Sequence, residues 1–308
     1  MARGRRPRDH DRPHHPGIYR QAAGEGRRMS LHPALSHPAL APGKTAVITG
    51  AADGIGLAAA KTFRELGLNV VMADITGRKL KQEAEAIGAI AVPTDVADRS
   101  AVEALKAVAI ETFGPVDVLM NNAGVGGGGD AFAGDDAWKR ILDVNLWGVI
   151  NGVQVFGEDM ALSGRPGLII NTGSKQGVTQ PPGDTAYNVS KSAVKALTEG
   201  LAHTLRQTEA CQVSAHLLIP GYTFTGMTRR GPGGKPDAAW TPEQVVNFML
   251  ARIMAGDFYI LCPDNDVSRA VDEKRMAWAM GDIIDNRPAL SRWHDDWKDA
   301  FAAFVEKP

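Results

Sequence analysis

The chain has 308 residues and a formal net charge of −1, with 44% apolar and 22% charged residues, as is ordinary for a soluble globular protein of one or two domains. No apolar run approaches the roughly 18 residues of a membrane span. The two cysteines, Cys211 and Cys262, lie in apolar strand-like runs and show neither a disulfide framework nor metal-ligand spacing. We therefore expect a reduced, cytoplasmic protein with no membrane partner and no metal.

The first 40 residues differ in composition from the rest of the chain. Residues 1–30 contain eight arginines against three acidic residues, with several prolines and histidines and almost nothing to bury. This composition predicts a disordered basic head and linker over 1–40. No aromatic interleaving or amphipathic pattern supports nucleic-acid binding or an organelle presequence, so we expect no nucleic-acid partner. The alternative that we favour is that translation begins at Met29.

Strand and helix patterns then alternate. We predict strands near 44–49, 69–73, 89–93, 116–121, 167–173, 212–219 and 257–262. We predict helices near 55–66, 78–87, 99–113, 136–162, 185–209 and 242–255. The alternation predicts an α/β fold, a doubly wound parallel Rossmann sheet over residues 41–265, with its ligand crevice at the carboxyl ends of the strands.

The first strand runs into a glycine-rich turn, Thr-Gly-Ala-Ala-Asp-Gly-Ile-Gly at positions 49–56, which opens a helical pattern. Strand, glycine turn and helix in this order are typical of a dinucleotide phosphate loop. Gly50 would permit the tight turn, Gly54 would let the backbone approach a pyrophosphate, and Gly56 would let helix and strand pack closely. Taken alone, the loop is also compatible with an ordinary strand–helix turn.

Asp74 ends the second strand. A carboxylate there can accept hydrogen bonds from the adenosine ribose hydroxyls and would repel a 2′-phosphate. The interior of the glycine turn carries no basic residue, although Arg78 is close enough in sequence to weaken the argument. We therefore predict NAD in preference to NADP.

Tyr187 and Lys191 lie four residues apart in a predicted helix, and Ser174 precedes the tyrosine by thirteen residues. Residues four apart share a helix face, so the lysine ammonium comes beside the phenol oxygen. A unit charge ~4 Å away at an effective dielectric of ~20 is worth roughly 4 kcal/mol, or about three pKa units. The pattern predicts a tyrosine whose pKa is lowered into the range of a general acid–base, with Ser174 holding the reacting oxygen. Tyr-x-x-x-Lys by itself also occurs as a solvated pair on many helices.

In chain order, these residues resemble the single-domain branch of the short-chain dehydrogenase/reductase family, from about Lys44 to about Cys262. The matching positions are Thr49 to Gly56 for the glycine loop, Asn121 to Gly124 for its Asn-Asn-Ala-Gly element, Asn145 for its helix asparagine, Ser174, Tyr187 and Lys191 for its catalytic residues, and Pro220 to Thr225 for its Pro-Gly-x-x-x-Thr element.

The resemblance implies an NAD(P)-dependent oxidoreductase that moves a hydride between the cofactor and a secondary alcohol or ketone. It assigns Lys191 to the nicotinamide ribose and Asn145 to a water on a proton path. Asp95 would meet the adenine edge, or else serve as an acid near a helix N-terminus. The implied cofactor-binding residues are Thr49, Gly50, Asp53, Gly54, Ile55, Gly56, Asp74, Asp95, Val96, Asn122, Ala123, Gly124, Tyr187, Lys191, Pro220, Gly221, Thr223 and Thr225. Family members usually form tetramers or dimers through their long fourth and fifth helices, so we expect a homo-oligomer.

The sequence says less about the substrate than about the cofactor. The segment from Tyr222 to Trp240 holds four glycines and two prolines, which suits a mobile lid. Candidate substrate residues are Trp147, Ser174, Gln176, Tyr187, Phe224 and Met227. We expect a bulky apolar alcohol or ketone, aromatic or steroid-like.

Residues 266–308 are predicted to form a helical extension, because apolar side chains recur at helical spacing around Trp278 and again from Trp293 to Phe304. About 45 residues are too few for an independent core, so we expect the extension to pack on the pocket or on a second subunit.

Two functions other than alcohol dehydrogenation are considered for the chain. A non-catalytic NAD-sensing Rossmann protein tends to lose the tyrosine or lysine that stand here. A sugar-nucleotide epimerase or dehydratase of the extended branch favours a shorter glycine loop and a larger C-terminal domain.

Overall fold

The computed structural model describes residues 37–229 and 231–306. Its single sheet has seven parallel strands in the order β3-β2-β1-β4-β5-β6-β7. The strands are β1 Thr45–Thr49, β2 Asn69–Asp74, β3 Ile90–Pro93, β4 Val118–Asn121, β5 Gly167–Thr172, β6 Val213–Ile219 and β7 Tyr259–Leu261. Each lies at its predicted place, and the doubly wound Rossmann fold is confirmed.

The helices cover both faces of this sheet. They are α1 Gly54–Glu65, α2 Gly77–Ile87, α3 Arg99–Phe113, α4 Asp135–Leu142, α5 Gly148–Leu162, α6 Gln176–Thr179, α7 Thr185–Gln207, α8 Pro242–Met254, α9 Arg269–Ile284 and α10 Lys298–Glu306. No helix among the described residues combines the length and apolar character that crossing a bilayer requires.

The core lies on both sides of the central strands. In β1, Ile48 packs into one apolar layer and its neighbour Val47 into the opposite layer, and both are fully buried. Successive side chains of a strand point to opposite faces, so a strand covered on both faces must be apolar throughout. The strand order reverses at β1, which lies between β2 and β4, and the crevice outside this switch point is where such folds bind ligands.

Two predicted boundaries need correction. The predicted helix 136–162 is interrupted, because the segment Asp143–Trp147 between α4 and α5 is a π-helix. The predicted linker 1–40 extends too far, since Pro38–Leu40 form a short 3₁₀ helix whose Ala39 is fully buried in the core. The rest of the predicted basic head lies outside the described residues.

The C-terminal residues form helices α9 and α10 around Trp278, which is 5% exposed. Its indole contacts the rings of Trp297, Phe301 and Phe304, and its Nε1 donates a hydrogen bond to Ser291 Oγ. Helix α9 also packs against α6, the short helix that follows Ser174. The extension therefore has a small aromatic cluster of its own and a contact beside the predicted catalytic serine.

Candidate active site

The glycine turn has a backbone that side chains would not tolerate. Gly50 and Gly54 have φ values of +63° and +54°, in the left-handed region that favours glycine. A Cβ on Gly56 would lie 2.2 Å from the carbonyl oxygen of Gly50. The Asn122 carboxamide donates from Nδ2 to the carbonyl oxygens of Thr49 and Gly50, at 3.1 and 3.3 Å. Asn122 thus fixes the backbone of the turn, and α1 begins at the crevice. Backbone N–H groups at a helix N-terminus are what a pyrophosphate requires.

Asp53 caps α1 by accepting a hydrogen bond from Gly54 N at 2.7 Å, and it forms an ion pair with Lys79, 2.8 Å away. Burial opposes ionisation of this carboxyl, but the hydrogen bonds from Lys79 and Gly54 outweigh it and lower the pKa of Asp53. Sequence reasoning did not single out Lys79. An interaction of this kind could not be inferred from spacing, because the two residues lie in different helical segments.

Asp74 lies at the carboxyl end of β2 and lines the crevice. Its Oδ2 accepts a hydrogen bond from Ala52 N at 3.1 Å, and its Oδ1 accepts from Thr76 N and Oγ1, at 3.0 and 2.7 Å. These bonds fix the carboxylate beside the glycine turn. Each carboxylate oxygen has two lone pairs, so Oδ2 keeps capacity for a ribose hydroxyl.

Ser174, Tyr187 and Lys191 converge beyond the carboxyl ends of β4 and β5. Ser174 Oγ accepts a hydrogen bond from Gln176 N at 3.1 Å, which leaves its hydroxyl hydrogen free to bond the Tyr187 phenol oxygen. Lys191 Nζ donates to Thr172 O at 2.8 Å and lies 5.8 Å from the centroid of the Tyr187 ring. Lys191 is 3% exposed. The geometry brings together a hydroxyl, a phenol and an ammonium, as the spacing predicted.

The predicted lowering of the Tyr187 pKa is wrong for the protein without cofactor. Burial raises the pKa of Tyr187, the Ser174 hydrogen bond opposes this, and the Asp184 carboxylate raises it further. Burial likewise lowers the pKa of Lys191 to about 8. A low-dielectric environment disfavours both charged forms, and spacing on a helix does not reveal that environment.

Asn145 is fully buried within the π-helix, a distortion that often marks functional sites. Its Oδ1 accepts from Val125 N at 2.7 Å, and its Nδ2 donates to Val125 O at 2.9 Å and Ser190 Oγ at 3.3 Å. The carboxamide therefore positions the backbone after Gly124. This backbone lies close to Lys191, since a Cβ added to Gly124 would be 3.6 Å from Lys191 Nζ. The water beside Lys191 stays a prediction.

A cavity of about 660 Å³ joins the glycine turn to these groups. The predicted residues that line it are Gly50, Asp53, Gly54, Ile55, Asp74, Asn122, Gly124, Ser174, Tyr187, Lys191, Pro220, Gly221, Thr223, Thr225 and Met227. A single cavity thus holds most of the predicted cofactor residues together with the catalytic serine, tyrosine and lysine.

Several predicted residues do not line this cavity. They are Thr49, Gly56, Asp95, Val96, Ala123, Asn145, Trp147, Gln176 and Phe224. Thr49 supports the site from behind, since its Oγ1 accepts from the backbone N–H groups of Asn122 and Ala123. Asp95 is exposed and accepts from Ala97 N in the turn before α3, whose N-cap is Asp98, so neither the adenine contact nor a helix cap is seen for Asp95. Trp147 is 53% exposed and lies outside the cavity, so a substrate role for it finds no support in this geometry.

Arg140 lines the cavity and was missed by sequence reasoning. Its Nη2 donates to the carbonyl oxygens of Gly126 and Gly127, at 2.8 and 3.2 Å. Asp184 accepts from the N–H groups of Gly127 and Gly128, and it also caps the helix that carries Tyr187. The run of four glycines at 126–129 was the available signal that the backbone here needs outside support.

Known proteins resemble this chain in sequence and in fold. A family model described as short chain dehydrogenase matches residues 44–232. The 1-deoxy-11-beta-hydroxypentalenate dehydrogenase of Streptomyces exfoliatus is 31% identical over 267 residues, covering 81% of this chain and 94% of its own. The 3beta-hydroxysteroid dehydrogenase 2 of Eggerthella lenta is 36% identical over 201 residues, covering 63% of this chain and 76% of its own. A short chain dehydrogenase/reductase from Burkholderia phymatum, solved in complex with NAD, superimposes with a TM-score of 0.72 and 32% identity, over 80% of this chain and 96% of its own.

Proposed function

The chain belongs to the short-chain dehydrogenase/reductase family, and from this premise we propose that it is an NAD-dependent dehydrogenase of bulky secondary alcohols, or a reductase of the matching ketones. The observation that carries the proposal is the single cavity in which the glycine turn meets Ser174, Tyr187 and Lys191. A non-catalytic nucleotide sensor would not need a serine hydroxyl, a phenol and an ammonium in the same cavity.

In the oxidation direction, Tyr187 takes the proton of the alcohol while the carbinol carbon loses its hydride. The nicotinamide cofactor, when bound, supplies the hydride acceptor. Ser174 holds the substrate oxygen within hydrogen-bond reach of the phenol, because its acceptor side is already bonded to Gln176 N and its hydrogen is free to donate. Lys191 would hold the ribose hydroxyls of the bound cofactor, and it places a cation beside the phenol.

The choice of NAD rests on Asp74. Its carboxylate is fixed at the end of β2 by Ala52 and Thr76, so a 2′-phosphate there would meet a like charge that cannot turn away. Of the nearby cations, Lys79 is already paired with Asp53, and Arg78 is exposed. The similar structure from Burkholderia phymatum was solved with NAD, which supports a nicotinamide cofactor.

The substrate class rests on the cavity and on the relatives. The relatives' names specify a hydroxypentalenate and a 3beta-hydroxysteroid, both polycyclic alcohols. A cavity of about 660 Å³ lies within the range of small-molecule sites, and Met227 gives its mouth an apolar, adaptable wall. We infer an apolar ring system with the reacting carbon near Tyr187 and any polar substituent near Arg140.

We further propose a homodimer or homotetramer built on α5 and α7. Exposed apolar side chains lie at or near these helices, namely Trp147 at 53%, Leu162 at 68% and Val189 at 43% exposure. Sedimentation of the purified chain measures the assembly, and an exclusively monomeric protein at micromolar concentration would contradict this part of the proposal.

The experiment for the activity is a panel of steroid, terpenoid, aromatic and short aliphatic secondary alcohols with NAD and with NADP, read as absorbance of the reduced cofactor. We expect turnover of polycyclic alcohols with NAD. NAD binding without turnover of any alcohol or ketone would favour the sensor alternative.

A further inference from the structure

A buried ion cluster lies directly behind the catalytic serine. Lys175 Nζ donates a hydrogen bond to Asp264 Oδ2 at 3.0 Å and forms an ion pair with Asp272 Oδ2 at 2.5 Å. The side chains of Lys175, Asp264 and Asp272 are 15%, 8% and 6% exposed. Asp272 belongs to α9, so the C-terminal extension supplies one of the three charges. We call Lys175, Asp264 and Asp272 the lysine cluster.

The lysine cluster contacts both chain segments that form the catalytic end of the cavity. Lys175 follows Ser174, and its backbone N–H donates to Pro220 O at 3.1 Å. Asp264 accepts from Tyr222 N at 3.4 Å and from Val267 N at 2.8 Å. A Cβ on Gly221 would lie 2.7 Å from Asp264 Oδ2 and 2.9 Å from Lys175 Nζ. The cluster is therefore packed against the Pro220–Gly221 turn with no room for a side chain between them.

Two arginines lie near the Asp272 end of the lysine cluster, one in α9 and one in the segment after it. Arg275 of α9 lies 3.7 Å from the other oxygen of Asp272, and Arg292 of the segment after α9 also interacts electrostatically with Asp272. Burial raises the pKa of Asp272, and the charge of Lys175 opposes this. Removing the Asp272 carboxylate leaves Lys175 Nζ with Asp264 alone, so a buried charge-assisted contact is lost and the ammonium is drawn toward Asp264. A change in α9 is thereby transmitted to Lys175.

Resting on the proposed function, we propose that Lys175 is a positioning residue that sets the place of Ser174 and of the Pro220–Gly221 turn, and that Asp272 makes the C-terminal extension a working part of the active site. Lys175 does not line the cavity and touches no reacting atom, so it acts through its neighbours. A displacement of about 1 Å in a substrate-positioning group can lower turnover by about two orders of magnitude.

The test compares Asp272→Asn with Glu273→Gln, both in the full chain. Glu273 is the next residue of α9, but it is 55% exposed and pairs with Arg269 at the surface, so it controls for loss of a carboxylate from this helix. We expect Asp272→Asn to lower kcat at saturating cofactor at least about 10-fold, since it displaces Ser174, and to weaken NADH binding as well, since it also displaces the Pro220–Gly221 turn. Glu273→Gln should stay within about 2-fold of the wild type. Equal kcat values for Asp272→Asn and wild type would overturn the proposal.

A purely structural role is separated by the double variant Lys175→Met with Asp264→Asn. It removes one positive and one negative charge together and leaves Asp272 beside Arg275 and Arg292, so the melting temperature should recover relative to Lys175→Met alone. If the lysine cluster positions Ser174, kcat stays low in the double variant despite the recovered stability. Recovery of kcat together with stability would reduce the cluster to a fold-stabilising pair and refute the positioning role.

A second readout needs no substrate. Hydrogen exchange of the peptides that contain 174–180 and 220–223 should accelerate in Asp272→Asn and not in Glu273→Gln, because Gln176 N and Tyr222 N donate to Ser174 and Asp264. Unchanged exchange in both peptides would refute the inference. If the wild type oxidises no alcohol, the proposed function fails, and this exchange experiment still decides whether the lysine cluster orders the two segments.

Discussion

Replacing Lys191 by methionine should stabilise the protein and impair catalysis. Burial lowers the pKa of Lys191 from 10.5 to about 8, and a difference of this size corresponds to about 3 kcal/mol of unfavourable free energy for the folded, charged state. The group is a base with a lowered pKa in the folded protein, so this penalty is complete below pH 8. It decreases as the pH rises from 8 to 10.5 and disappears above that range. Methionine carries no charge and avoids the penalty at every pH.

The net gain is smaller because a hydrogen bond is lost. Lys191 Nζ donates to Thr172 O, and methionine leaves this carbonyl without that donor, at about 1 kcal/mol. We therefore expect Lys191→Met to raise the free energy of unfolding by about 2 kcal/mol at pH 7. The advantage should shrink between pH 8 and 10.5. Urea denaturation at several pH values measures it, and a variant that is less stable than the wild type at pH 7 would refute the reasoning.

Catalysis should respond in the opposite sense. The ammonium lies 5.8 Å from the Tyr187 ring centroid, and a unit charge at about 6 Å and an effective dielectric of about 20 is worth about 3 kcal/mol, or about two pKa units. At saturating NAD, the acidic limb of the kcat profile for oxidation, where turnover rises as Tyr187 loses its proton, should therefore move upward by about two pH units. The two residues titrate as a coupled pair, so the profile reports the pair. Lys195→Met is the matched control, since Lys195 lies on the same helix and pairs with Glu199 at the surface. An unmoved profile would make Lys191 a cofactor-binding residue alone.

Three further substitutions test the site. Tyr187→Phe removes the phenolic oxygen and should lower turnover at least about 1,000-fold while NADH affinity, measured by fluorescence titration, stays within about 3-fold; retained turnover would exclude the acid–base role. Asp74→Ala removes the carboxylate that repels a 2′-phosphate and should raise the NADP/NAD ratio of kcat/KM at least about 10-fold; a wild type that already prefers NADP would contradict the ribose argument. Gly56→Ala places a methyl group 2.2 Å from Gly50 O and should weaken NAD binding at least about 10-fold, with about 1–3 kcal/mol of lost stability. Gly134→Ala meets open space and is its control.

The strands and the glycine turn could be predicted because their signals are local. A short run such as Thr45–Thr49, with three apolar residues between two threonines, predicts a buried strand wherever it lies in the sheet. The glycines at 50, 54 and 56 fall within eight residues of one turn, so their spacing is visible in the local sequence. The same holds for Tyr187 and Lys191, whose neighbourhood follows from the helix period. These features need no knowledge of distant parts of the chain.

The π-helix at Asp143–Trp147 was not predicted because its cause is distant. Asn145 is drawn into hydrogen bonds with both backbone groups of Val125, twenty residues earlier, and the extra residue in the helix turn brings it there. A helical periodicity calculated along the chain averages over one inserted residue. The lysine cluster escaped prediction for the same reason, since Lys175 and Asp264 lie 89 residues apart.

Lys191 and Lys175 show two uses of a buried cation, and their variants should separate them. Lys191 has no carboxylate partner among its described contacts, so burial lowers its pKa and the folded state is less stable for keeping it charged beside the phenol. Lys175 lies between two buried carboxylates, so its charge is compensated and supports the fold. Lys191→Met should therefore lower turnover and raise the free energy of unfolding. Asp272→Asn, which removes one carboxylate partner of Lys175, should lower both turnover and the free energy of unfolding. If both variants lost stability, the charge of Lys191 would have to be compensated in the folded protein. Keeping this charge beside Tyr187 would then cost no folding free energy, and the trade between activity and stability proposed for Lys191 would be refuted.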